Sequence, residues 1–313
     1  MKRIKSISVA VVLFAGIMYS GKCFAQHDPM FTNYMWNEMF INPAYAGSTE
    51  AISVVGLSRQ QWVGIDGAPN SQSLSIHGPF YENSVGVGVS VLHEGIGVTN
   101  ETSMMGTFAY HIQTSAKGRL GFGLSGGAVT FREKLSEIVT QTPGDIQFQE
   151  NTPLLTVPNA AFGMYYHTKK FYAGLSVPRL IDNQISAGTW VIHNKFSSKT
   201  LHYNFISGYV FDLNGGIKIK PTIMCRYAYA TPFEVSTSLN FFVKDCIWAG
   251  LAYRTGDAVS VLLGIMFTPS LRLSYSYDYT TNKLKSFNSG THEISIGYDY
   301  LLGKKKTASP RLF

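Results

Sequence analysis

The stretch HEISIGYDYLL, residues 292–302, alternates with a period of two. Ile294, Ile296, Tyr298, Tyr300 and Leu302 fall on one face, while Glu293, Ser295, Gly297 and Asp299 fall on the other. Successive side chains of a strand point to opposite faces, so the stretch reads as a strand with one apolar and one polar side. SVGVGVSVL (84–92), FEVSTSLNFF (233–242), AVSVLLGIMF (258–267) and SLRLSYSYDYT (270–280) repeat the pattern. No long segment carries the i, i+3, i+4, i+7 spacing of an amphipathic helix.

Counting such runs gives about fourteen strands of roughly ten residues, the length a tilted strand needs to cross a bilayer. Their expected starts are residues 50, 70, 83, 101, 118, 157, 170, 200, 215, 232, 246, 257, 270 and 291. Short turns follow every second strand: FYEN, SAKG, HTKK, DLNG, VKDC and TPS. The other connections are GIDGAP, GIGVTN, a segment near 132–156, one near 178–199 and TNKLKSFNSG, with short exceptions near Thr231 and Gly256. Tight turns on one side and long loops on the other predict a transmembrane antiparallel β-barrel rather than a soluble sandwich. Closure satisfies every backbone donor and acceptor in lipid, and the apolar face then meets hydrocarbon.

Composition agrees. Charged residues make up 14% of the chain against about 25% in soluble domains, and aromatics reach 13%. Residues 1–25 read as a signal peptide, with Lys2, Arg3 and Lys5 before a short apolar run and Cys23-Phe24-Ala25 as the cleavage site. That places the protein in the outer membrane of a Gram-negative cell. The formal charge of +7 includes Lys2, Arg3, Lys5 and Lys22, so the mature chain carries +3, which argues against a nucleic-acid partner. Cys225 and Cys246 remain, both in expected strands, and read as separate thiols rather than a disulfide framework.

Between leader and barrel lies QHDPMFTNYMWNEMFINPAYAGS, residues 26–48. Asp28-Pro29 reads as an N-cap with proline at N1. Phe31, Tyr34, Met35 and Met39 recur at helical spacing over three turns, and Asn42-Pro43 ends the helix. Eight strands already fill their barrel with side chains, so fourteen leave room inside. The segment is therefore expected to be a short helical or irregular plug at the periplasmic mouth, with Tyr45 and Gly47 in the turn into the wall. Residues 49–302 form the barrel and 303–313 a basic periplasmic tail. An even strand number puts both termini on the periplasmic side.

No motif for chemistry is assembled. GFGLSGG (121–127) spells both G-x-G-x-x-G and G-x-S-x-G but lies in a strand, not at a strand-to-helix turn. It reads as an inward face kept small, with Gly121, Gly123, Ser125 and Gly127 alternating with Phe122 and Leu124. The histidines lack metal spacing, and no cofactor or enzymatic activity is expected. Parity turns Lys218, Lys220, Arg226, Glu234, Arg272, Asp278, Glu293 and Asp299 toward the lumen. Both signs are present, which favours a network holding the interior together over a selective pore lining. The acidic segment with Glu133, Glu137, Asp145 and Glu150 is expected in an external loop, a candidate docking surface.

Gln26, Asp28-Pro29, Phe31, Tyr34-Met35 and INPAYAGS (41–48) resemble the N-terminal signature of the PorP/SprF family, outer-membrane proteins of the Bacteroidetes type IX secretion system. His27 stands between Gln26 and Asp28 where that family more often reads Gln-Asp-Pro directly, and Trp36-Asn37-Glu38 also differs. The resemblance implies a non-enzymatic role in export or surface anchoring of a secreted protein such as an adhesin, in some members tied to gliding motility. The implied partners are a substrate's C-terminal domain on the extracellular side and periplasmic components of the machinery. The alternative is a small-solute channel gated by the N-terminal segment.

Overall fold

The computed structural model describes residues 30–49, 51–80, 84–138, 150–185, 192–195, 197, 201–213, 215–229 and 231–301. The expected leader, Asp28, Pro29, Asp145 and the basic tail lie outside them.

The wall begins with β1 (Ala51–Gln60), β2 (Asn70–Pro79), β3 (Val85–Ile96), β4 (Thr99–Gln113), β5 (Arg119–Glu133), β6 (Leu155–His167) and β7 (Phe171–Val177). A small hairpin follows, β8 (Asp182–Ile185) with β9 (Ile192–Lys195), in a separate two-stranded sheet. The wall resumes with β10 (His202–Tyr209) and its continuation β11 (Phe211–Leu213). It ends with β12 (Ile217–Ala228), β13 (Glu234–Val243), β14 (Ile247–Arg254), β15 (Ala258–Met266), β16 (Leu271–Thr280) and β17 (Thr291–Leu301). Each pairs antiparallel with its neighbours, β10 pairs with β12, and β1 pairs with β17 from Ala51↔Leu301 to Gln60↔His292. With β10 and β11 as one stave, the sheet closes as a barrel of fourteen.

Alternation sets which face is which. Leu74, Ile76, Leu239, Leu251, Val261, Leu263, Ile294 and Ile296 are exposed on the outside. Tyr203, Tyr227, Tyr253 and Tyr279 ring the long-loop end and Tyr110, Tyr209, Phe211 and Tyr300 the short-turn end, as interfacial aromatics do. The inner face carries Ser53, Ser73, Ser75, Ser236, Ser238, Ser260, Ser274, Ser276 and Ser295, all buried. No helix among the described residues is long and apolar enough to cross a membrane.

Expected and observed strand starts agree within two residues or so. GIGVTN differs from the longer connection expected of it. β3 and β4 extend into it until only residues 97 and 98 remain, with Gly97 at φ +56° making the tight turn. Thr and Val in that stretch suit strand as well as loop. Cys225 lies toward the long-loop end of β12 and Cys246 in the opposite turn. Eight residues of strand separate their levels, about 27 Å, far beyond disulfide reach, and both thiols are free.

Candidate functional site

The lumen is occupied by the chain itself. Residues 31–49 are buried throughout apart from Phe40, which is partly exposed. The single three-turn helix expected here does not form. Instead there is a 3₁₀ turn at Tyr34–Trp36, one α-turn at Glu38–Ile41 and a second 3₁₀ turn at Pro43–Tyr45. Asn37 (φ −133°) and Asn42 (φ −143°) interrupt the run. The segment is surrounded by wall on all sides, so no single stripe is selected for burial and a regular helix gains nothing. The backbone groups of Asn37 and Asn42 stay satisfied within the segment, through Tyr34, Phe40, Glu38 and Tyr45, and the Ile41 carbonyl accepts from Ser176 of the wall.

Its position also differs from a lid at the periplasmic mouth. Thr32 lies near the long-loop end. Its hydroxyl donates to Asp278 at 2.8 Å and accepts from Arg59 Nη1 at 3.1 Å and Arg254 Nη2 at 3.2 Å. The backbone N–H groups of Thr32 and Asn33 both donate to the Glu293 carboxylate, at 2.9 and 2.7 Å. Arg59 bridges Asp278 (2.9 Å) and Glu293 (3.0 Å), and Arg254 pairs with Asp257 at 2.8 Å. This polar grip sits at the last turns of β1, β14 and β16 and the first turn of β17.

From there the chain descends. The Tyr34 hydroxyl meets Thr222 at 2.6 Å, and Trp36 packs on Trp248 (centroids 4.8 Å) and Phe242 (6.3 Å). Lys220 and Arg272 lie 5.5 and 5.3 Å from the Trp36 ring, within cation–π range. Arg272 is paired with Asp299, which also accepts from Ser53. The chain then climbs, bringing Phe40 to 6.3 Å from Phe31. Asn37 bonds Ser73 and Ser75, and Tyr165 donates to Glu38 at 2.7 Å.

A second descent follows. Asn42 donates to the carbonyls of Met164 and Leu175, while its own Oδ1 caps Ala44 N–H at 2.9 Å. Here the backbone lies directly on the wall. A Cβ added to Gly123 would overlap Pro43 and Ala44, and one added to Gly86 would overlap Ala46. Gly47, at φ +70°, faces Gly86 just before the chain enters β1. The small face of GFGLSGG is therefore the seat of the inner segment.

Several expected residues meet in this core: Phe31, Tyr34, Met35, Asn42, Pro43, Tyr45 and Gly47 from the segment, and Lys220, Arg272, Asp278, Glu293 and Asp299 from the wall. Arg226 and Glu234 face each other across β12 and β13 at 3.9 Å, higher up and partly exposed. Lys218 sits apart from that core. It shares the inward parity and stands at the first residues of β12, where it pairs with Asp245 at 2.6 Å on the short-turn rim. On the same rim Lys170 bonds Asp212 at 2.7 Å, and that hydrogen bond raises the ammonium above its ordinary range. Arg59 and Arg254, which organise the grip, were not singled out in the sequence. Parity alone marks them, since Arg59 follows Ser53, Val55 and Leu57 on one face of β1, and Arg254 follows Trp248, Gly250 and Ala252 on one face of β14.

Above the segment, toward the loops, lies a vestibule of about 540 Å³ lined by Met30, Phe40, Trp62, Arg179, Phe233 and Asp257 among others. Among the described residues no group of three His, Cys, Asp or Glu side chains is placed to hold a metal.

A solved structure shares the fold. The CymD monoaromatic hydrocarbon channel is similar over 85% of this chain and 92% of its own, at 12% identity and a TM-score of 0.51. Weaker likenesses are found to the toluene transporter TbuX of Ralstonia pickettii (6% identity, 84% and 93% covered, TM-score 0.48) and to Omp33 of Acinetobacter baumannii (9%, 80% and 99%, 0.46). No curated protein matches the sequence. The model of the type IX secretion system membrane protein PorP/SprF matches residues 23–298, most of the chain, and the protein therefore belongs to that family of secretion-system membrane barrels.

Proposed function

We propose that this outer-membrane barrel is a non-enzymatic partner of one secreted type IX substrate, such as an adhesin, which it helps export or retain at the cell surface. The observation that carries this reading is the occupied lumen. Residues 31–49 fill it down to the short-turn mouth, so the barrel offers docking surfaces rather than a conduit for polypeptide. The substrate's C-terminal domain meets the long loops, and other parts of the machinery meet the short-turn mouth. The leader is removed near Ala25, and the basic tail remains periplasmic.

The test is affinity purification from detergent extracts with mass spectrometry, beside surface proteomics of a deletion strain. One secreted protein should co-purify with the barrel and disappear from the surface of the deletion strain, while small-solute uptake stays unchanged. Unchanged surface proteins with reduced uptake of a small solute would replace this reading with that of a gated channel.

A further inference from the structure

Charge is spread unevenly around the short-turn mouth. Four successive short turns join β4 to β5, β6 to β7, β11 to β12 and β13 to β14. Among the described residues, in and beside these turns stand Lys117, Arg119, Lys169, Lys170, Lys218 and Lys244, against only Asp212 and Asp245. The rest of that mouth adds Arg272 and Asp299, which are buried against each other. At the long-loop mouth the signs are mixed, with pairs such as Lys134–Glu137, Arg179–Glu101 and Arg254–Asp257. Neighbouring turns of the basic arc lie two strands apart, about 10 Å, and are tied together. Val210 N–H donates to the Lys170 carbonyl and Lys244 N–H to the Gly216 carbonyl. Lys170 meets Asp212 at 2.7 Å and Lys218 meets Asp245 at 2.6 Å, so both carboxylates are engaged. Lys117, Lys169 and Lys244 are exposed and have no carboxylate partner among the described residues. Lys244 and Asp245 stand at φ +50° and +53°, the left-handed pair of a hairpin turn that Asn-Gly fits more easily.

We propose that this arc binds the phosphate head groups of anionic phospholipids in the periplasmic leaflet of the membrane. Short turns mark the periplasmic side of such barrels. The side chains next to the turns favour a lipid. Ile112, Phe211, Ile217, Val243 and Ile247 are exposed on the outer face at the ends of the same strands. Cations just beyond a hydrocarbon-facing belt lie at head-group depth, where a lysine stem runs along apolar surface and its ammonium reaches phosphate. An acidic protein would cover the same lysines from below, with that apolar belt out of its reach.

Retained lipid decides this. The folded protein is reconstituted in vesicles of an equal mixture of phosphatidylethanolamine and phosphatidylglycerol, extracted gently, and its bound lipids are identified by native mass spectrometry. The parent is expected to keep phosphatidylglycerol in preference, by about fivefold for each lysine that meets a head group, and the preference should fall as salt is raised. The triple variant Lys117→Gln, Lys169→Gln, Lys244→Gln leaves both ion pairs of the arc in place and should lose the preference. Lys283→Gln with Lys285→Gln, at the opposite mouth, should keep it. Heat-modifiable migration shows that each variant is folded. Equal retention of the two lipids by the parent, or the same preference in the parent and the triple variant, overturns the proposal. Capture of an acidic periplasmic protein through these three lysines, with no lipid preference, assigns the arc to a protein and overturns it as well.

Discussion

Arg59 and Glu293 face each other across the seam where the first and last strands join, and the same pair holds the inner segment. They are registered partners of β1 and β17, their side chains meet at 3.0 Å, and both are almost fully buried. Glu293 also accepts the backbone N–H groups of Thr32 and Asn33. Barrel closure and lumen filling thus share one set of hydrogen bonds. Asp278 and Arg254 complete the set, so each buried charge has an opposite partner.

Removing the carboxylate should therefore damage seam and segment together. Glu293→Ala leaves two backbone donors without their acceptor and Arg59 with Asp278 alone. Breaking a buried pair this way costs about 3–5 kcal/mol. The expected outcome is a urea midpoint in lipid vesicles well below that of the parent, with less of the compact, fast-migrating form on unheated gels. Glu293→Gln, which keeps shape and one acceptor oxygen, should fall between the two. An unchanged midpoint in Glu293→Ala would mean that the grip adds nothing to closure.

Glycines of β5 offer a separate test of contact between segment and wall. A side chain at Gly123 would enter the backbone of Pro43 and Ala44, while Gly126, three residues on, has open space around it. Gly123→Val should cost about 1–3 kcal/mol through overpacking, read as a lower thermal transition of the folded band. Gly126→Ala should stay within about 0.5 kcal/mol of the parent. Equal effects at the two sites would show that the segment does not rest on β5.

The wall was readable from sequence because a period of two leaves no ambiguity about faces once one face must meet lipid. The segment from 292 to 302 already separates Glu293 and Asp299 from Ile294 and Ile296, and the structure keeps that division. The inner segment was legible only in part. Its apolar residues announced burial and Asn42-Pro43 announced a break, but a periodic pattern assumes one buried side. Trp36, Asn37 and Glu38 are buried in different directions, against Trp248, Ser73 and Tyr165, so spacing could not report their shape. Depth in the lumen was illegible as well, because it depends on Thr32 meeting residues more than two hundred positions away.

Contact of the outer face with hydrocarbon makes a depth-dependent prediction. Leu251 lies at the middle of β14, exposed on the outside between Leu239 and Val261. Leu251→Arg should lower stability in vesicles by about 2–4 kcal/mol, whereas Tyr253→Arg, near the long-loop rim, should cost about 0–1 kcal/mol beyond the lost aromatic anchor. Equal costs, or equal folding of Leu251→Arg with and without lipid, would argue that this face meets water.

Deleting residues 31–48 removes what fills the lumen without touching a wall strand. Barrels wider than eight strands keep interior space that side chains do not fill, and the face left behind carries Arg59, Lys220, Arg254, Arg272, Asp278, Glu293 and Asp299. Those groups would hydrate, so the emptied barrel should pass ions. In planar bilayers the full-length protein is expected near background and the deletion variant to give resolved single-channel steps. Selectivity between cations and anions should be weak because both signs line the path. The deletion also removes the partners of Glu293, so the variant should unfold at lower urea, and vesicle-reconstituted samples need a folded band before recording. Trp36→Ala supplies a milder form, since it empties space only beside Trp248 and Phe242. It should leave conductance near background while lowering stability by about 3–5 kcal/mol. Steps of equal size in the full-length protein and the deletion variant would show that residues 31–48 do not close the lumen in a membrane.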